Sequence, residues 1–177
     1  MRKILVAVDL QNDFIDGSLT VPGAAGVIPV IKNALGDYDL VYFTLDWHPS
    51  GHCSFKESGG PWPVHCVHHT TGAAFPDGLL EGLDEGRMRF VLKGQKTEQY
   101  GAFADVTPST QDYFVPGDEV TVCGIASEYC VFETLKNIYK ISAEVGFKLR
   151  IWLDATAKFD NYDDVLKFSK EHGIDIV

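Results

Sequence analysis

No apolar run in this sequence approaches the roughly 20 residues of a membrane-spanning helix. The early stretch Ile4 to Val8 meets Asp9 too soon for a signal peptide. There is also no Cys-x-x-Cys pair: Cys53, Cys66, Cys123 and Cys130 stand singly. Without an expected export signal, they read as thiols of a reducing cytoplasm rather than a disulfide frame. Basic residues are in deficit, 15 against 25 acidic, for a formal net charge of −10. A surface that acidic repels phosphate backbones and anionic headgroups, which argues against nucleic acid and membranes as partners. No repeat, linker or low-complexity tract divides the 177 residues, so residues 1–177 read as one domain with a sizeable core.

What is present alternates. Ile4 to Val8 is a continuous, branched apolar run, the pattern of a strand buried on both faces. Similar runs are Leu40 to Leu45, Phe90 to Leu92, Val120 to Ile125 and Leu149 to Leu153, with Ile174 to Val177 as a short last strand. Val27, Val30, Ile31, Ala34 and Leu35 follow helical spacing, with Pro29 expected in the first turn. A second helix follows from Val131, Leu135, Ile138, Tyr139, Ser142 and Val145, with Ser127 as N-cap and Gly146 as terminator. Asn161 to His172 is a third. Strands alternating with helices imply an α/β fold: a three-layer α/β/α sandwich on a mainly parallel, Rossmann-like sheet of about six strands. The Gly- and Pro-rich interval from Pro49 to Glu85 breaks the rhythm, and a loop that long is usually functional.

Ligands of an open parallel sheet bind beyond the carboxyl ends of its strands. Asp9, Asp46-Trp47-His48, Lys93-Gly94 and Ala126 to Cys130 each follow an apolar run. Cys130 is placed in the first turn of a helix, where the dipole favours a thiolate; the alternative is a small core residue. Burial would raise the pKa of Asp9 and suit it to proton transfer, and Lys93 would oppose that shift. A purely structural Asp9–Lys93 ion pair is the competing reading. Asp46-x-His48 presents oxygen and nitrogen on one face of an extended segment, a donor mix for zinc, iron or manganese. The third ligand is open among His52, His65, His68 and His69. Single, widely spaced Cys53 and Cys66 argue against a structural zinc site.

These pieces, with Asp9-Leu10-Gln11-Asn12-Asp13-Phe14, Gly60-Pro61-Trp62-Pro63-Val64-His65-Cys66, Tyr100-Gly101-Ala102-Phe103 and Gly124-Ile125-Ala126, resemble the nicotinamidase branch of the isochorismatase-like cysteine hydrolases. The resemblance runs from end to end of the chain. It implies a catalytic set of Asp9, Lys93 and Cys130, and a metal set of Asp46, His48 and His65 in an insertion at about 46–85. The implied cofactor is one divalent ion, zinc by family habit, with iron or manganese as alternatives. Some relatives supply an extra ligand at the places of His52 or Glu57. The resemblance further implies Phe14, Trp62, Tyr100 and Ile125 as substrate-binding residues, and a cis peptide at Ile125-Ala126 that aims the N–H groups of Ala126 and Cys130 at an oxyanion. His68, His69 and His172 are expected as solvated surface residues. Glu98-Gln99-Tyr100 stands where the family usually has Asp-Ser-Tyr. The implied activity is hydrolysis of nicotinamide through a cysteine thioester, in NAD salvage, by a cytoplasmic homo-oligomer. Rival readings are another amidase of the superfamily and a metal-binding module without turnover.

Overall fold

A computed structural model describes residues 1–96, 99–109 and 111–177. Its centre is a six-stranded parallel sheet in the order β3-β2-β1-β4-β5-β6. The strands are β1 (Lys3–Val8), β2 (Leu40–Asp46), β3 (Met88–Lys93), β4 (Glu119–Gly124), β5 (Lys148–Thr156) and β6 (Asp175–Ile176). The helices are α1 (Asn12–Ile15), α2 (Ala24–Ala34), α3 (Phe132–Val145) and α4 (Asp163–His172).

Strand alternation divides the core into two layers. Ile4, Val6 and Val8 of β1 pack with Val120 and Val122 against Leu135, Ile138 and Ile141 of α3 and Val165 of α4. Leu5 and Ala7 point to the opposite face and pack with Val41 and Phe43 against Val27 and Ile31 of α2. Helices on both faces explain why β1 and β4 read as unbroken apolar runs. The order reverses between β1 and β4, which opens a crevice beyond their carboxyl ends. Gly124 closes that junction at φ 123°, where a Cβ would lie 2.2 Å from the Val8 carbonyl oxygen.

Three local expectations change. β3 is an edge strand, so Phe90 and Leu92 are 53% and 44% exposed rather than buried. Helix α2 begins at Ala24, after Gly23 at φ 80°, which leaves Pro29 inside the helix beyond its first turn. Pro29 is exposed, so the carbonyl it leaves unpaired can turn to water. Ser127 is not an N-cap: it opens a π-helical turn, Ser127–Val131, that runs into α3. Its hydroxyl is buried without a hydrogen-bond partner among the described residues. Gly146 and Gly173 do end α3 and α4, both in the left-handed conformation that only glycine adopts cheaply. No described helix is long and apolar enough to cross a membrane.

Candidate active site

The carboxyl ends of four strands converge on one buried cluster. Asp9 leaves β1 at φ 50°, an uncommon conformation for a side-chain-bearing residue. Its Oδ1 accepts a 2.6 Å bond from the Thr44 hydroxyl of the neighbouring strand. Its Oδ2 forms a buried ion pair with Lys93 Nζ at 2.8 Å. Lys93, at the end of β3 and 1% exposed, also reaches Asp46 Oδ1 at 2.5 Å and Cys130 Sγ at 3.5 Å. One ammonium therefore joins two carboxylates and a thiol, and the structural ion pair and the chemical cluster are the same object.

Burial sets the proton affinities here. Desolvation pushes the Asp9 carboxyl up, and Lys93 only partly offsets it. Burial also pushes Asp46 up, but the Lys93 ammonium leads the groups that outweigh it and hold that carboxyl well below its ordinary value. Burial alone would lower Lys93, yet Asp46, Asp9 and Cys130 hold its ammonium well above the ordinary range. Desolvation pushes the Cys130 thiol well up, against the opposing charge of Lys93. Cys130 lies within a buried π turn that leads into α3 rather than in the first turn of an α-helix, and its burial opposes the thiolate that the helix dipole and Lys93 favour. A protonated thiol needs a base, and a carboxylate oxygen of Asp9 lies within 4.8 Å of its sulfur.

On the far side of Asp46, its Oδ2 lies 3.4 Å from His48 Nε2 and 3.8 Å from His65 Nε2. Asp46, His48 and His65 thus bring three donor atoms within 4.8 Å of one another. His48 Nδ1 contacts the Gly94 carbonyl at 2.6 Å, and His65 Nδ1 the Pro63 carbonyl at 2.8 Å. A carbonyl can only accept, so each Nδ1 carries the proton and each Nε2 presents a lone pair to the centre. One buried carboxylate oxygen and two imidazole nitrogens that face a common centre fit a divalent cation. Gly94 is required here, since a Cβ would sit 2.5 Å from the His48 ring.

The other histidines sort differently. His52 is buried and stacks on His48 at 4.1 Å, with Nδ1 2.7 Å from the Ser54 hydroxyl. Glu57 is exposed, and neither residue belongs to the three-donor group among the described residues. His69 is exposed, as expected. His68 is half-buried against Trp47, and the exposed His172 packs on Tyr139 and Phe168, because adjacent aromatic surface covers their rings. Cys66 and Cys123 are buried, Cys53 is exposed, and all four cysteines are free.

Between the cluster and solvent lies a narrow cavity. Phe14, Trp62, Tyr100, Ala126 and Cys130 line it, as do Asp46 and His65. Trp62 Nε1–H donates to the Tyr100 hydroxyl at 3.0 Å and fixes the indole. The Ile125–Ala126 peptide is cis. Ile125 is buried in the core layer beside α2, while Ala126 reaches the cavity. Glu98 of the Glu98-Gln99-Tyr100 segment lies outside the described residues.

Sequence reasoning missed Leu19, Val21, Tyr129 and Phe159 in this wall. Only aromatic or aliphatic character marks them, and that marks core residues equally. It also missed two supports. The buried Gln11 side chain accepts from the Asp46 N–H at 2.8 Å and donates to the Asp46 carbonyl at 2.8 Å and the Ala73 carbonyl at 2.9 Å. Asp13 Oδ2 accepts the Cys66 N–H at 2.7 Å, next to His65. The recurrence of polar residues in Asp9-Leu10-Gln11-Asn12-Asp13, directly after a buried strand, is the signal that points to them.

The fold and this cluster define a doubly wound α/β protein with a buried Asp–Lys–Cys group beside a cation-type Asp–His–His set. The isochorismatase domain model matches residues 3–171, and the chain belongs to that family. It is 33% identical to the nicotinamidase of Saccharomyces cerevisiae, over 99% of both chains. The pyrazinamidase of Pyrococcus horikoshii, solved in complex with zinc, superposes with a TM-score of 0.80 at 32% identity, covering 100% of this chain and 99% of that one. The yeast nicotinamidase bound to the inhibitor nicotinaldehyde superposes with a TM-score of 0.81 at 29% identity, over 99% of both chains.

Proposed function

We propose that this protein is a nicotinamidase, hydrolysing nicotinamide to nicotinate and ammonia. The observation that carries the reading is the joining of two clusters in one cavity. A buried thiol beside a carboxylate and an ammonium lines the same aromatic slot as Asp46 and His65, two members of a three-donor cation set. Nicotinamide needs both, a nucleophile for its carboxamide and a partner for its ring nitrogen. Asp46, His48 and His65 would hold a divalent ion, zinc by analogy with the Pyrococcus complex. Bound there, the ion supplies a Lewis acid for the pyridine nitrogen.

This chain's own residues would do the rest. Phe14 and Trp62 flank the ring, and Tyr100 braces Trp62. Asp9 takes the proton of Cys130 as the sulfur attacks the carboxamide carbon. The oxyanion accepts the N–H groups of Ala126 and Cys130. Collapse breaks the C–N bond, and Asp9 returns the proton to the departing ammonia. The thioester is then cleaved by water, with Asp9 accepting a water proton and returning it to the sulfur as nicotinate leaves. Lys93 stays charged and balances Asp9 against the sulfur. The same reading takes residues 1–177 as one hydrolase domain with its metal loop at about 46–85. It places the enzyme in the cytoplasm, in NAD salvage, as a homo-oligomer.

The test is ammonia release from nicotinamide, run beside a chelated sample. Turnover that is lost on chelation without unfolding, and regained with zinc, supports the reading. No release from nicotinamide by the metal-loaded protein overturns it.

A further inference from the structure

Among the described residues that line the cavity, Phe159 alone is exposed, at 36%. It forms the outer rim. Its ring lies parallel to Trp62, tilted 18° with centroids 6.1 Å apart, and meets Tyr129 edge-on at 5.9 Å. Phe159 sits on the connection between β5 and α4, a segment with no regular structure of its own. Such a segment needs an external hold to keep a rim in place.

Glu128 supplies that hold. Its Oε2 accepts the Phe159 N–H at 3.1 Å, and its Oε1 accepts the N–H groups of Asp160 at 2.6 Å and Asn161 at 3.0 Å. One carboxylate therefore satisfies three consecutive backbone donors, an arrangement that suits an anion and no neutral side chain. Glu128 belongs to the same π turn as Tyr129 and Cys130. The rim is thus tied to the element that carries the nucleophile. A second tie, Ser127 N–H to the Ala157 carbonyl at 2.8 Å, anchors the base of the segment.

We propose that Phe159 is a specificity-determining residue of this site and that Glu128 is its positioning residue. Together they close the outer side of the slot around a single six-membered aromatic ring and exclude carboxamides whose ring is extended by fusion. The proposal rests on the reading of the site as a carboxamide hydrolase. It concerns a rim that neither the cation set nor the Asp9–Lys93–Cys130 group defines.

The experiment compares kcat/KM for nicotinamide and for quinoline-3-carboxamide, its benzo-fused analogue, in the metal-loaded wild type, Phe159→Ala, Phe159→Tyr and Glu128→Ala. Metal content and Tm are measured alongside, together with hydrogen exchange of the 159–161 amides. The ratio of quinoline to nicotinamide activity should rise about tenfold or more in Phe159→Ala and Glu128→Ala. Phe159→Tyr should keep the wild-type ratio. In Glu128→Ala the three amides should exchange faster while metal content holds. Equal losses on both substrates would mean a merely structural role and would overturn the rim proposal, as would a shift in Phe159→Tyr as large as in Phe159→Ala. Unchanged exchange in Glu128→Ala would overturn the latch whatever the turnover. A wild type idle on nicotinamide would overturn the proposed function and the rim with it; an active wild type with unmoved ratios would overturn the rim alone.

Discussion

The inner and outer ends of the cavity are held by different means. At the inner end, Asp9, Asp46, Lys93 and Cys130 are all nearly inaccessible to water, and each is placed by a strand or by the turn that follows one. At the outer end, Phe159 is partly exposed, and the backbone of 159–161 is fastened by one half-buried carboxylate. Buried charges interact strongly because water does not screen them, and for the same reason they tolerate little misplacement. An aromatic rim requires only shape. Chemistry is thus tied to the sheet, and selection to a connecting segment that can vary without disturbing the core.

If that contrast is right, damage should fall off from the inner end outward. Cys130→Ala removes the only described thiol in the cavity and should lower ammonia release about 10⁴-fold or more, with metal content intact by elemental analysis. Full residual turnover in that variant would sink the mechanism. His48→Ala should reduce bound metal and raise KM, measured by metal analysis and steady-state kinetics; unchanged occupancy would mean that the ligands are assigned wrongly. Gln11→Ala should weaken metal binding by about 10–100-fold in chelator competition. It would also cost about 1–3 kcal/mol in urea unfolding, because the Asp46 backbone groups would be buried without partners. Normal metal affinity in that variant would show that strand β2 alone positions Asp46.

The smallest effect lies away from the cavity. Asp118 pairs with Arg2 at 2.6 Å and accepts the Val115 N–H. Burial raises its carboxyl, but Arg2 and that N–H outweigh it and hold the carboxyl below its ordinary value. A depressed carboxyl contributes stability above its unfolded pKa and loses it as pH falls through the folded one. Asp118→Asn should therefore cost at most about 1 kcal/mol near neutrality, since Arg2 is partly exposed and screened. The gap from wild type should close in acid, while kcat/KM is unchanged. A gap that widened in acid would reverse the sign of this argument.

Much of the inner end was legible in the sequence, and the reason is geometric. A buried parallel strand must be apolar on both faces, so the polar residue that follows it marks the strand's carboxyl end. Asp9, Asp46 and Lys93 were found in this way, and the structure brings them together. The Ser127 cap and the α-helical setting of Cys130 were misread for one reason. Hydrophobic spacing locates a helix but does not register a π turn at its start, nor how deeply that turn is buried. β3 was read as buried because an apolar run does not say whether a strand is central or at an edge.

By itself the sequence determined the alternation of strands and helices and the residue types at the strand ends. His48 and His65 were named beside Asp46 from the Asp-x-His spacing and the family resemblance, whereas only the tertiary structure showed that Gln11 and Asp13 support Asp46 and the loop that carries His65. It alone brought Phe159 back over a slot lined by Cys130, His65 and Asp46 from earlier parts of the chain. The physical reason is that periodicity is local. It specifies which face of an element is buried, whereas the segment from Pro49 to Glu85 has no period to read. Its course is set by hydrogen bonds to residues far away in sequence, such as Cys66 N–H to Asp13 and Ala73 C=O to Gln11.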